Sequence, residues 1–305
     1  MEIHISNGFY KWRFWIAAGL SLCLHFLLLV QFDSSDYSPT LPSESVLVAK
    51  IIDLQEIKKS ADNQSWSPNH LSNEDQGQDS GKDIGKDIGQ AFNLPPSALL
   101  FYAAFVNGNP NQTAQIEWLN KGDGYRIRVS VVVPFIGDYV FTSTGLIDRF
   151  GLAPDFYEEV RGSRGSRTIQ FSRQSNTVTF SLNGKTADLP NGTQDRFSVL
   201  FQLASLVAGN PRADEEGVAR EIPIADSDKL AKWIFVSQGD VQVSDPADTK
   251  KITARHFVRL PREEGDQRKL EVWLSQENHW LPLKVIQTEP NGRVFELFLS
   301  QVSAL

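Results

Sequence analysis

The chain has 305 residues, of which 41% are hydrophobic and 22% charged, and this length and composition fit one or two globular domains. The acidity is concentrated, since residues 33–92 carry a net charge of −6 whereas residues 93–305 hold 25 acids against 23 bases. The C-terminal region therefore has no electrostatic footprint for a phosphate backbone, which argues against nucleic acid as a partner. Because the only cysteine is Cys23, that region has neither a disulfide framework nor a cysteine-based zinc site.

The first predicted element is a membrane-spanning helix over residues 14–32, nineteen residues without a formal charge. At ~1.5 Å per residue such a helix is close to the ~30 Å thickness of a bilayer core. Lys11 and Arg13 precede it, so the positive-inside rule leaves residues 1–13 as a cytoplasmic tail and places the rest of the chain across the membrane. A cleaved signal peptide is the alternative, but it has a shorter apolar run and a small-residue cleavage site that the end of this run lacks.

Ser21 and His25 lie four residues apart, on one face of this helix. An ionisable residue at membrane depth is costly and by default suggests a function. The Ser-x-x-x-His spacing, followed by a short β segment within residues 43–54, resembles the anchor of the TonB energy transducers over roughly the first 55 residues. That resemblance implies coupling of Ser21 and His25 to a proton-driven motor complex in the inner membrane. Phe32 and Asp36 depart from the family pattern, and the alternative is that the two side chains only pack against each other or another helix.

Residues 33–92 are predicted to be an acidic tether on the far side of the membrane. From residue 57 onward apolar side chains are sparse, and the segment contains a tandem repeat, Gly-Lys-Asp-Ile, at residues 81–88. Such a composition buries too little apolar surface to offset the entropy of ordering, so we expect the tether to be largely disordered. The domain that follows, residues 93–305, would then be free to reorient near the membrane.

The pattern of residues 93–305 predicts an antiparallel β domain. Residues 125–131 alternate apolar and polar side chains with period two, which is typical of a half-buried strand. Turn residues such as Asn183-Gly184 and Asn291-Gly292 separate the predicted strands, and short turns of this kind join hairpins and meanders. The other predicted strands have the same apolar and β-branched character: 115–119, 139–142, 168–173, 177–182, 232–237, 252–260, 270–275, 283–289 and 294–300.

One segment, residues 195–208, predicts a helix instead. Its apolar residues recur at helical spacing, with Thr193 as a candidate N-cap and Gly209 as the stop. A second, weaker helical pattern covers residues 155–161. The expected fold is therefore mostly β: an antiparallel curved sheet or half-barrel around one central helix, preceded by the transmembrane helix.

Three short motifs resemble landmarks of the family called domain of unknown function 3108. They are Gly145-Leu146-Ile147 followed by Gly151-Leu152-Ala153-Pro154, then Leu189-Pro190 with Gln194-Asp195 and Ser198, and finally Glu271-Val272-Trp273-Leu274 followed by Leu281-Pro282. The resemblance covers roughly residues 95–303. It implies a bacterial envelope protein with a lipoprotein-carrier-like half-barrel and without an established activity.

No catalytic pattern stands out in the C-terminal domain. The sequence contains no nucleophile elbow, Walker loop or dinucleotide fingerprint, and no His or Glu cluster has metal-ligand spacing. His256 shares parity with Ile252, Ala254 and Val258, so we expect it on the apolar face of its strand as a hydrogen-bonded core residue. We predict neither an enzyme nor a cofactor nor a metal.

The candidate ligand-binding residues are Arg161, Arg164 and Arg167, in the sequence Arg-Gly-Ser-Arg-Gly-Ser-Arg. Three guanidinium groups at every third position of a flexible loop would bind phosphates, including lipid headgroups, although a solvated loop is the alternative. If the fold is a half-barrel, a lipid or acyl chain is the natural ligand for its concave face. We therefore expect a non-enzymatic protein of the bacterial inner membrane, N-terminus cytoplasmic, whose periplasmic domain binds an apolar ligand or an envelope partner. A TonB-like transducer is the alternative.

Overall fold

The computed structural model describes residues 89–133, 137–246 and 250–305. The predicted cytoplasmic tail, the transmembrane helix with Ser21 and His25, and the tether up to residue 88 lie outside the described residues. Among those described, no helix is long and apolar enough to cross a membrane.

The described residues are mostly β, as predicted, and contain one α-helix, α1, at Ser198–Gly209. Short 3₁₀ turns occupy Pro211–Asp214 and Gln276–Asn278. The strands are β1 Ala98–Val106, β2 Asn109–Pro110, β3 Ala114–Asn120, β4 Gly124–Val133, β5 Gly137–Asp148, β6 Gly151–Arg161, β7 Arg164–Ser172, β8 Thr177–Phe180, β9 Thr186–Asp188, β10 Gln194–Asp195, β11 Ala219–Asp226, β12 Lys229–Ser244, β13 Lys251–Arg259, β14 Lys269–Ser275, β15 Pro282–Thr288 and β16 Val294–Ala304.

All these strands belong to one sheet, which consists of two antiparallel meanders. Strands β3 to β9 follow one another in chain order, and so do β11 to β16. Strand β1 joins the two meanders because it pairs with β16 on one side and with β3 on the other. The short β10 pairs with β11 in parallel, and Gln194 in β10 donates to the backbone oxygen of Leu152 in β6. The sheet therefore curves until its β10 edge reaches β6, which confirms the predicted curved, open sheet.

Helix α1 lies inside the concave face and is buried on every side. Each residue from Ser198 to Val207 is buried, as expected for a helix in the middle of a core rather than at a surface. Phe201 stacks on Trp118 of β3, with 4.7 Å between the ring centroids. The segment before β1 closes this side, where the backbone nitrogen of Asn93 donates to the Ser205 oxygen at 2.8 Å. The concave interior is thus filled by the helix and by large aromatic side chains.

The helix starts three residues later than its predicted first residue, and its cap is different. The carboxylate of Asp195 accepts the backbone N–H groups of Phe197 and Ser198, both at 2.9 Å, and the Ser198 hydroxyl accepts the Asp195 N–H at 2.8 Å. Asp195 therefore satisfies the free donors of the first turn. Thr193, the predicted cap, instead donates its hydroxyl to the Pro190 oxygen. Gly209 is the last helical residue, and Asn210 caps the end.

The predicted second helix over residues 155–161 is wrong, because these residues form the second half of β6. That strand pairs antiparallel with β5 on one side and β7 on the other, so two ladders of hydrogen bonds compete with any helix. Seven residues are too few for periodicity to distinguish the two structures. The sequence also missed β1 and β11, and in β1 the nearly continuous apolar run hides the alternation.

Two glycines of the sequence landmarks are explained by close contacts. A Cβ added to Gly145 would lie 2.2 Å from the backbone oxygen of Ala153. Gly151 has φ +104°, and an added Cβ would lie 2.4 Å from Oε1 of Gln202. The Gln202 amide accepts the Leu152 N–H at 2.8 Å and donates to the backbone oxygen of Phe150 at 2.6 Å. Gly145 thus lets β5 and β6 approach closely, and Gly151 lets the β5–β6 hairpin lie directly against Gln202 of α1.

Candidate functional site

The three arginines singled out from the sequence lie on a tight hairpin rather than on a flexible loop. Arg161 ends β6 and Arg164 begins β7, and the two residues pair across the turn formed by Gly162 and Ser163. Gly162 has φ +56°, the left-handed conformation that a two-residue hairpin turn requires. The spacing therefore reflects a β-hairpin, in which Arg161 faces Arg164 across the turn and Arg167 faces Glu159.

Two of these arginines are bound to a buried carboxylate. Arg161 donates to Glu159 at 3.0 Å, and a guanidinium nitrogen of Arg167 lies 3.9 Å from the same carboxylate. The Arg161 guanidinium also lies 5.7 Å from the ring of Phe141. Arg164 is exposed and makes no ion pair within the part of the chain that the structure describes. The structure thus places the three arginines on one hairpin, two of them around Glu159, and a phosphate site formed by them stays a prediction.

A better candidate lies at the N-terminal end of α1, where the helix faces β12 to β15. We call it the mouth pocket. It has a volume of about 60 Å³. Phe197, in its wall, packs against Phe141 with 4.8 Å between ring centroids. The Phe141 ring in turn lies 5.7 Å from the Arg161 guanidinium. Its lining combines apolar and basic side chains: Arg196, Phe197, Leu200, Asp226, Trp233, Arg259, Arg268, Leu270, Val285 and Gln287.

Trp233 supplies the most informative atom of this pocket. Its side chain is buried, with 4% of the residue exposed, yet its indole Nε1 has no hydrogen-bond partner among the described residues. By contrast, the indole of Trp118 donates to the Pro95 oxygen at 3.1 Å. Buried indole N–H groups normally find an acceptor, because an unpaired buried donor costs about 1–3 kcal/mol. An orphan donor on a residue that lines a pocket is available to an acceptor, either a ligand oxygen or an ordered water.

The deepest basic residue of the pocket is Arg259. Its guanidinium lies over the Trp233 ring, 5.3 Å from the centroid, and its side chain is 1% exposed. Arg259 and Arg262 donate to Asp266 at 2.9 and 2.7 Å. Burial lowers the pKa of Arg259, and the hydrogen bond with Asp266 offsets this only in part. Hydrogen bonds from Arg262 and Arg259 hold the pKa of Asp266 well below its ordinary value.

Two further guanidinium groups lie at the rim. Arg196 lies 2.7 Å from Asp226, and Arg268 lies 3.0 Å from Glu289. Burial lowers the pKa of Arg196, but its interactions with Asp226, Tyr157 and Glu159 together outweigh burial and leave that pKa raised. Each arginine of the site therefore has a carboxylate beside it.

His256 lies on the face opposite to the expected one. It stacks on Trp273 with 4.2 Å between the rings, and its Nε2 lies 3.0 Å from Glu271. A bulge in β12 between Ser237 and Asp240 reverses the parity of the paired strand, so Phe257 points inward instead. The pairing with His256 lowers the pKa of Glu271. Within the described ranges, no group of three or more His, Cys, Asp or Glu residues would hold a metal ion.

Sequence reasoning missed the mouth pocket because its residues come from distant segments. Trp233 lies in β12, Arg259 at the end of β13 and Arg268 just before β14, and each looks ordinary in its own strand. The local pattern predicted only that residues 232–237 form a strand. The missing hydrogen bond of Trp233 has no signal in the sequence.

Comparison with known proteins identifies the family but not the activity. A DUF1089 family protein from Pseudomonas aeruginosa matches 57% of this chain and 89% of its own, with 10% identity and a TM-score of 0.33. The lipoprotein LppX of Mycobacterium tuberculosis matches 67% of this chain and 85% of its own, with 11% identity and a TM-score of 0.21. Scores this low carry no argument. No curated protein matches the chain. The family profile described as "Protein of unknown function (DUF3108)" matches residues 101–299, which confirms the landmarks, and the chain belongs to that family.

Proposed function

We propose that the β domain is a non-enzymatic binder of an apolar, acyl-type ligand in the bacterial envelope. The observation that carries this proposal is the buried indole N–H of Trp233, unpartnered among the described residues, in the wall of the mouth pocket. Apolar side chains of α1, β14 and β15 surround it, so a ligand here is mostly hydrocarbon with one oxygen near the indole. Ligand pockets commonly combine an apolar lining with a few placed polar groups in this way.

The small volume of the pocket limits how much of such a ligand it can hold. A volume of about 60 Å³ holds only the end of a chain, whereas typical ligand sites measure roughly 300–1,000 Å³. A longer chain must therefore displace part of the wall. Phe197 is the wall residue best placed to move, because it precedes the first helical residue and contacts Phe141 at the open end.

The polar groups around the pocket support binding rather than catalysis. The rim arginines are held by carboxylates, and none of them lies beside a nucleophile. The buried hydroxyls of Tyr125 and Ser143 form a chain with Asp195 that caps α1 inside the core. The lining formed by the described residues contains no Ser, Thr, Cys, Lys or His side chain, so the pocket offers no hydroxyl, thiol, amine or imidazole for covalent catalysis.

The cellular setting of the proposal comes from the sequence. The predicted anchor at residues 14–32 and the acidic tether would hold the domain at the outer face of the inner membrane. The lipoprotein-carrier-like fold that the family resemblance implies agrees with an apolar ligand. In this proposal the domain holds acyl chains at the membrane surface, or presents them to an envelope partner.

The test is to purify the full-length chain gently, extract it with organic solvent, and identify the bound species by mass spectrometry. We expect a stoichiometric acyl species. Val285→Phe, which fills the mouth pocket, should release it. The control is Ile286→Phe, which introduces the same side chain one residue along β15, on the face that pairs with Glu271 and Glu296. Repeated recovery of an empty wild-type domain, or equal retention by both variants, would refute the proposal.

A further inference from the structure

The charges that face the mouth pocket are unbalanced. Its lining contains the guanidinium groups of Arg196, Arg259 and Arg268 but only one carboxylate, that of Asp226. The acids that neutralise Arg259 and Arg268 stand behind them, outside the lining. Among the described residues that line the apolar pocket, arginines therefore outnumber acids by three to one, although each arginine has a carboxylate beside it. This arrangement favours an anionic group next to the apolar wall.

Arg268 is the arginine best placed to meet a ligand from solvent. Its side chain is 30% exposed, whereas that of Arg259 is 1% exposed and is held by Asp266 and two backbone oxygens. Nε and Nη2 of Arg268 both donate to one oxygen of Glu289, at 3.2 and 3.0 Å. Nη1 makes no hydrogen bond within the described part of the chain. The guanidinium is thus oriented by Glu289 and still has donors to offer.

Arg268 lies immediately before β14 and lines the mouth pocket together with Leu270 of that strand. Lys269, between them, is exposed and does not belong to the lining. One basic residue of this pair is therefore part of the pocket wall and the other is not, which provides a matched control of equal charge.

We infer that the mouth pocket selects amphiphiles with an anionic headgroup, a carboxylate or a phosphate, which Arg268 binds at the rim while the acyl chain lies against Leu200, Leu270 and Val285. A headgroup oxygen directed inward accepts the hydrogen bond of the Trp233 indole. This inference rests on the proposed function and specifies its ligand class. A neutral chain of the same length lacks the partner for Arg268 and should bind more weakly.

The experiment compares three probes of equal chain length on the full-length protein: hexadecanoate, hexadecyl phosphate and hexadecanol, each below its aggregation concentration. Titration calorimetry on the wild type should show at least one anion bound about tenfold or more tightly than the alcohol, since a hydrogen bond to a charged group is worth about 1.5–3 kcal/mol. Arg268→Gln should abolish that preference. Lys269→Gln should retain it, and Arg268→Lys, which keeps the charge, should retain part of it.

The outcomes separate this inference from the proposed function. Equal affinity for all three probes, or an anion preference that survives Arg268→Gln, overturns the headgroup inference and leaves an apolar binder. Failure of every probe to bind overturns both. A preference confined to the carboxylate supports the inference and points to free fatty acids, whereas a preference confined to the phosphate supports it and points to phospholipid-type headgroups.

Discussion

The hydrogen bond that Trp233 lacks leads to a prediction about stability. Trp233→Phe removes a donor whose burial without a partner costs about 1–3 kcal/mol, and it keeps an aromatic ring beside Arg259. Trp118→Phe is the control, because it deletes the same atoms but breaks the bond to the Pro95 oxygen. The Asn120 amide, at 3.5 Å from that oxygen, replaces only part of it. We therefore expect Trp118→Phe to be the more destabilising by about 2–3 kcal/mol.

Urea unfolding of both variants and of the wild type, in delipidated protein, measures this difference. The slopes of the free energy against urea should agree, so that the midpoints report stability alone. Both substitutions delete the same indole atoms, so the transfer free energy of those atoms cancels in the comparison. If Trp233→Phe costs as much as Trp118→Phe, then the Trp233 indole does have an acceptor in the folded protein, and the argument for a ligand oxygen fails. Although Trp233→Phe is expected to be the less destabilising of the two variants, it should bind hexadecanoate about tenfold more weakly than the wild type does, because it lacks the indole donor.

Three further predictions concern the frame of the site. Gly145→Ala should destabilise the domain by about 3 kcal/mol or more in urea unfolding, because its Cβ would overlap a backbone oxygen, whereas Gly184→Ala, at φ +68° in open space, should cost about 1 kcal/mol. Asp195→Ala should cost about 1–2 kcal/mol by removing the cap of α1, and loss of helical circular dichroism at lower urea would show it. The pKa of Asp266 is lower in the folded than in the unfolded protein, so its stabilisation is present above about pH 4 and is lost as pH falls. Asp266→Asn should therefore lower the unfolding free energy by about 2–3 kcal/mol at pH 7, and a variant whose deficit did not shrink toward pH 3 would contradict the assignment.

The sequence by itself was enough for the elements whose signals are local. Residues 125–131 alternate with period two and form the middle of β4, and Asn183-Gly184 and Asn291-Gly292 turn the chain where predicted, with left-handed glycines. Residues 195–208 have helical spacing and overlap α1 except at the first three positions. Side-chain period and turn chemistry act over a few residues, which is why they are readable without a structure.

Tertiary structure decided what depends on neighbouring strands. Residues 155–161 are a strand because β5 and β7 pair with both their edges, and His256 points outward because a bulge in the neighbouring β12 reverses the parity. Arg161 and Arg167 are bound by Glu159, although their spacing alone suggested free phosphate ligands.

The mouth pocket depends on tertiary structure more than any other feature. Folding brings Phe197, Trp233, Arg268 and Val285 together from α1 and from three different parts of the second meander. Local sequence reports which residues share a strand face, but the curvature of the sheet around α1 decides which faces meet. Whether a buried donor finds an acceptor depends on which faces come into contact. The unpaired indole of Trp233 and the excess of arginines over acids in the pocket lining are therefore recognisable only in the folded domain.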